Sequence, residues 1–257
     1  MSKEHYPGTQ AVYRAVALLK TFSDARPELT LSELTRAVGL NKTTTHRLLA
    51  ALEREGLVAH DTRNGAYRLG PEAIALGARA LRATPLRDAA QPELEWLARG
   101  TGENADLEIL DGGEVFVVEE IPGRFVIGTT LAVGTRWPAH ATSTGKAILA
   151  FLPEDEREAA LPRRLSRPTG KAIGDRETLR AELARVRERG YATGIEELEE
   201  DFVAVGAAVF DHEGRVVGAI SIGGPSHRLP AKRIQEVAPL VKQAAERISH
   251  KLGFKPQ

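Results

Sequence analysis

Residues 29–58 read LTLSELTRAVGLNKTTTHRLLAALEREGLV, and they hold two short helices with almost nothing between them. Thr30 followed three positions later by Glu33 is a capping box, which starts a helix. Leu31, Leu34 and Val38 give that helix one apolar face. Gly39 stands where a left-handed residue would stop it. Asn41 can cap a second helix at once, with Leu48, Leu49 and Leu52 as its buried stripe and Gly56 as its end. Upstream, QAVYRAVALLKTF (10–22) repeats apolar residues at helical spacing, and SDARPE (23–28) interrupts it. Downstream, LVAHDTRNGAYRLG (57–70) alternates around Asn64-Gly65, a strong hairpin signal. Helix, helix, tight turn, helix, hairpin is the order of a winged helix-turn-helix.

Such a unit reads DNA with the N-terminal part of its second helix. With Thr45, Leu48, Leu49 and Leu52 packed inward, Lys42, Thr43, Thr44, His46 and Arg47 point outward. Arg47 suits a bidentate contact to guanine, and the threonines suit a thymine methyl or a phosphate. Lys42 and the helix N-terminus suit phosphate. Arg63 and Asn64 sit at the hairpin tip, where a wing would meet the neighbouring backbone or minor groove. Each residue alone is ordinary surface; the combination carries the reading.

Composition sets the frame. A chain of 257 residues has room for about two domains. Net charge is zero, but residues 1–84 hold 12 Lys/Arg against 8 Asp/Glu, and the remainder 23 against 27. A basic front on an acidic body fits a polyanionic partner for the front. There is no cysteine, so disulfides and thiolate metal sites are excluded. MSKEHYPGTQ (1–10) has no apolar leader core and no run approaches a membrane span, so a soluble cytoplasmic protein is expected.

PEAIALGARALRAT (71–84) reads as a connecting helix with Pro71 in its first turn. Beyond Pro85 come a helix (85–102), a hairpin turning at Asp111-Gly112-Gly113, and a further strand, RFVIGTTLAVG (124–134). A short helix at 145–152 follows, then an amphipathic helix stopped by Gly190, a hairpin turning at Asp211–Gly214, and a terminal helix (231–252). Hairpins with helices around them imply an antiparallel sheet under helical cover, an α+β domain.

HATSTGK (140–146) invites two enzymatic readings, and both fail. A phosphate-binding P-loop needs glycine where His140 stands and a hydroxyl where Ala147 stands. A serine nucleophile elbow needs a glycine before Ser143 that is missing. No catalytic set, metal site or cofactor motif emerges, and EELEED (196–201) reads as a solvated loop. The hydroxyl cluster can be a plain helix cap or a pole for a small anion. Trp137 stands in the core or at a pocket wall, the core being favoured.

The 29–58 stretch, with YRLG and a helix after it, resembles the DNA-binding half of the IclR family of bacterial transcriptional regulators. HATSTGKAILAFL (140–152), RERGYATGIEELE (187–199) and AAVFDHEGRVVGAISIGGP (207–225) resemble that family's second half, in the same order. The resemblance runs from about Val12 to Leu252. It implies a winged helix-turn-helix (1–70), a linker helix (71–84) and a GAF-like effector-binding domain (85–257). It points to Ser143 and Thr144 as effector contacts, with Gly194, Phe202, Ala204, Ser221 and Gly223 as further pocket positions. Because Gly194, Phe202, Ala204 and Gly223 are small or apolar, a roomy, weakly polar pocket is expected, suited to a carboxylate or aromatic metabolite. The implied protein binds double-stranded operator DNA as a homodimer or dimer of dimers, under control of a small effector. The alternative is a constitutive DNA-binding protein whose second domain only oligomerises.

Overall fold

The computed structural model describes residues 8–23, 25–125 and 133–255. The chain divides into two compact units, Met1–Ala83 and Thr84–Gln257.

In the first unit, α1 (Gln10–Leu19), α2 (Leu31–Val38) and α3 (Lys42–Arg54) pack around Leu18, Leu34 and Leu49, each fully buried. Leu29, Leu52, Val58 and Tyr67 belong to the same core. Burying one such leucine stabilises by roughly 1.5–3 kcal/mol. Thr30 and Glu33 form the capping box reciprocally, and Gly39 ends α2 at φ 65°. The Asn41 side chain accepts from Thr44 N at 2.8 Å. Thr45 is fully buried and donates to Asn41 O at 3.0 Å.

The wing is a three-stranded antiparallel sheet in the order β1 (Glu28–Thr30), β3 (Ala66–Leu69), β2 (Val58–Asp61). The strand β1 falls where the sequence shows only a break. It is three residues long, and its last residue doubles as the cap of α2. The hairpin closes with Asp61 opposite Ala66, so four residues make the loop and only Gly65 is left-handed, at φ 69°. A further helix, α4 (Pro71–Arg82), is fastened to this unit at its start. Gly70 N donates to Leu57 O at 2.9 Å, and Glu72 N to Gly56 O at 3.0 Å. Gly70 permits this approach, since a Cβ there would lie 2.2 Å from Gly56 O.

The second unit opens with α5 (Pro85–Thr101) and the strands β4 (Asn104–Asp111) and β5 (Glu114–Ile121), joined by Gly112-Gly113 at φ 61° and 92°. Then come β6 (Arg136–Pro138), α6 (Ser143–Phe151), α7 (Glu154–Ala160) and α8 (Arg176–Arg189). The chain continues through β7 (Ala192–Ile195), β8 (Phe202–Phe210), β9 (Val216–Pro225) and α9 (Ala231–Lys251). Most of the strand expected at 124–134 lies outside the described residues.

One antiparallel sheet runs β6-β5-β4-β9-β8-β7. The helix α6 covers one face, with α8 packed against it; α5 and α9 cover the other. Seven consecutive residues of both β8 and β9 are therefore buried, without polar alternation. Among the described residues no helix is long and apolar enough to cross a membrane.

Candidate functional site

On the first unit, the N-terminal half of α3 presents Lys42, Thr43, His46 and Arg47 to solvent. The i, i+4 pairs Lys42/His46 and Thr43/Arg47 stand side by side on one surface. Thr44 is half-buried, since its turn faces the cap. At the wing, Arg63 is exposed but held by Asp61, with Nε–Oδ1 at 3.0 Å and Nη2–Oδ2 at 2.7 Å. That guanidinium holds the Asp61 carboxyl below its usual range. Asn64 Oδ1 accepts from Ala66 N at 2.9 Å, so the side chain builds the turn.

On the second unit, the start of α6 is set into the sheet. Gly194 and Gly206 make room for it: a Cβ at Gly206 would lie 3.0 Å from Thr144 N, and one at Gly194 3.3 Å from Ser143 N. Gly145 does the same within the loop, because a Cβ there would meet Ala139 O at 2.1 Å. Thr142 is the N-cap of α6 and accepts from Gly145 N at 3.0 Å. Ser143 and Thr144 occupy the first turn and are buried. His140 donates from Nε2 to Ser166 O at 2.8 Å, anchoring the loop ahead of α8.

Lys146 serves the interior. Its side chain is 1% exposed and its Nζ lies 2.5 Å from Glu197 Oε1. The acidic run 196–201 is thus not simply solvated: Glu197 is buried against Lys146, and Glu196 pairs with Lys171. A lysine just after Gly145 has no phosphate work to do, because Glu197 already neutralises it.

Beneath the first turn of α6 lies a cavity lined by Ser143, Thr144, Gly194, Phe202, Ala204 and Ser221. Those are six of the seven expected effector positions. The seventh, Gly223, does not line it; the Phe202 ring lies against Gly223, where a Cβ would come within 2.6 Å of Phe202 Cζ. The expectation of a roomy pocket is corrected, while the exposed lining is mostly apolar, as expected. The cavity measures about 30 Å³, space for about two waters, because Phe202, Leu198 and Trp137 close in on it. Its floor carries two carboxyl groups, Asp106 and Glu108. Trp137 both lines this cavity and packs against the apolar cluster under α6.

The sheet register explains the carboxyl pair. Positions 106 and 108 of β4 share a face, and that face looks at α6. Gly206, Ser221, Asp106 and Glu120 form one row across β8, β9, β4 and β5. Asp106 accepts from the Ser221 hydroxyl, while its Oδ1 has no hydrogen-bond partner among the described residues. Thr144 Oγ1 donates to Glu108 Oε2. Burial pushes the Asp106 carboxyl well above its usual range, and Glu108 and Glu120 push it further. Burial raises Glu108 to about 7 against the pull of Thr144. Neither residue was expected at the site. The sequence signal was ADLEIL (105–110), two acids alternating in an apolar strand, which reads as one solvated face until the strand is known to be central.

The family profile described as the IclR helix-turn-helix domain matches residues 11–62, and that described as bacterial transcriptional regulator IclR C-terminal matches 78–250. The chain is 33% identical over 249 residues to the HTH-type transcriptional regulator XynR of Escherichia coli (strain K12), covering 96% of this chain and 99% of that one. A crystal structure of an IclR transcriptional regulator from Alicyclobacillus acidocaldarius superposes with a TM-score of 0.85 at 30% identity, covering 95% and 98% of the two chains. An IclR homolog from Microbacterium hydrocarbonoxydans, complexed with 4-hydroxybenzoate, superposes at 0.83 with 27% identity, covering 94% and 98%.

Proposed function

The chain belongs to the IclR family and is a DNA-binding transcriptional regulator of that type; on that premise we propose that its DNA binding answers to a small organic effector held under the first turn of α6. The observation that carries this reading is the cavity itself. Polar groups from α6, β4 and β9 converge there, and the indole Nε1 of Trp137 and Asp106 Oδ1 lack partners among the described residues. A domain that only oligomerised would have no use for unpaired polar atoms at that depth, each of which costs about 1–3 kcal/mol. The small volume calls for a moving part, and the loop between β7 and β8 suits that role. That loop carries Leu198 and ends in Phe202, and it holds Glu196 at φ 52° and Asp201 at φ 60°, a strained backbone for non-glycine residues.

In this reading Lys42, Thr43, His46 and Arg47 enter the major groove, and Arg63 leaves Asp61 for a phosphate. One such helix reads few bases, so the chain works as a homodimer or dimer of dimers in the cytoplasm. The exposed Val12, Tyr13 and Val16 of α1, with Ile74 and Leu76 of α4, supply apolar surface for pairing. The linker role of 71–84 is to carry the effector's influence to the spacing of the paired reading helices.

The test uses DNA from upstream of the protein's own gene, read by fluorescence anisotropy. It is challenged with 4-hydroxybenzoate and a panel of small aromatic and aliphatic acids. An effector is expected to change operator affinity by about 5–150-fold. Ala204→Trp, which fills the cavity, is expected to abolish the response and leave unliganded affinity unchanged. A response that survives in Ala204→Trp would put the effector elsewhere.

A further inference from the structure

Asp106 and Glu108 stand two residues apart on β4 and line the same cavity. Asp106 is 1% exposed and Glu108 is 3% exposed. No lysine, arginine or histidine lines the cavity among the described residues. The charges around it are spoken for: Lys146 of α6 is paired with Glu197, and Glu119 of β5 with Arg87 of α5. Glu120 of β5 adds a third carboxylate beside Asp106 and accepts from Asn104 Nδ2 at 3.1 Å. From β8 and β9 the neighbours are Gly206 and Ser221, which carry no charge. Two carboxyl groups so deeply buried, with no counter-cation lining the cavity among the described residues, cannot both be ionised at neutral pH.

The same cavity has hydrogen-bond donors to spare. The N–H groups of Ser143 and Thr144 stand at the first turn of α6, and the indole N–H of Trp137 has no partner among the described residues. An acceptor-rich anion fits those donors, yet it must sit against Asp106 and Glu108. The two demands meet only if the acids present protons to the incoming oxygen atoms.

We infer that this cavity takes up an anionic effector together with one proton, so that Glu108 binds the ligand as a carboxylic acid donor beside an already neutral Asp106. The inference rests on the reading of this cavity as the effector site. The balance is simple: ligand anion plus one proton from solvent enter, and nothing leaves. Glu108 titrates near 7 in the free protein. Below that pH it already holds its proton, so affinity is flat. Above it the proton must be acquired on binding, and affinity for an anion falls about tenfold per pH unit.

Two measurements on the full-length protein decide it. The first needs no ligand: the infrared carbonyl band of a protonated carboxyl, compared between wild type and Glu108→Gln. The neutral Asp106 contributes a band of its own in both proteins; a further component present in the wild type at pH 6, gone at pH 9 and missing in the variant supports the proton carrier, and no such component in the wild type overturns it. The second is titration calorimetry with benzoate and benzylamine at pH 6 and pH 8.5, in two buffers of different ionisation heat. Benzoate is expected to take up close to one proton at pH 8.5 and almost none at pH 6. Glu108→Gln, a permanent donor, is expected to bind it with a flat profile. Tighter binding of benzylamine, or benzoate binding without a pH slope in the wild type, would overturn the inference. An operator response without that infrared component would sink the proton and keep the effector site; the component without any operator response would do the reverse.

Discussion

An ammonium sealed from solvent must find its counter-charge within the fold, and Lys146 finds it on a loop 51 residues further along the chain. The pair does not measure stability by itself, since burying two charges costs about what their attraction returns. Breaking it is another matter. Glu197→Gln leaves the Lys146 charge buried without a partner and is expected to cost about 3–5 kcal/mol, read as a lowered midpoint in urea. The double variant Lys146→Met/Glu197→Leu is expected to recover most of that loss. A Glu197→Gln protein as stable as the wild type would mean that Lys146 is held by something else. The glycines around it belong to the same argument: Gly145 and Gly206 are chosen for closeness of backbones, with no left-handed φ at either position.

At the scale of elements, end signals decided what could be read in advance. The capping box at Thr30, the stop at Gly39 and the cap at Asn41 are local chemistry, so α2 and α3 were legible residue by residue. Thr30→Ala removes the acceptor for Glu33 N and is expected to destabilise the first unit by about 1 kcal/mol; an unchanged melting temperature would show that the cap is replaced by water. The short strands β1, β6 and β7 were not legible, because three or four residues gain their strand character from a partner that local sequence does not reveal. The wing hairpin was legible from Asn64-Gly65, though it closes through four residues. The site was half legible for the same reason. Residues in the conspicuous HATSTGK stretch and its later companions mark the cavity's roof and walls. Asp106 and Glu108 on its floor lie in a strand whose central place depends on β9, more than a hundred residues away. A solvated acidic face and a buried acidic face look alike until the sheet is assembled.

For the whole molecule, the division of labour follows the charge distribution. The basic first unit presents a helix face of Lys42, Thr43, His46 and Arg47, and the acidic second unit encloses a protonable cavity. In the proposed reading, the first must recognise a sequence for the second to have anything to regulate. The most direct measurement compares binding to DNA from upstream of its own gene with binding to a scrambled fragment of equal length, at about 150 mM salt, for wild type and Arg47→Ala. Specific sites exceed non-specific DNA by about 10³–10⁷-fold. The wild type is expected to fall within that range, and Arg47→Ala to bind both fragments with similar, salt-sensitive affinity at an unchanged melting temperature. An Arg47→Ala protein that keeps the full preference would contradict the assignment of α3 as the reading helix.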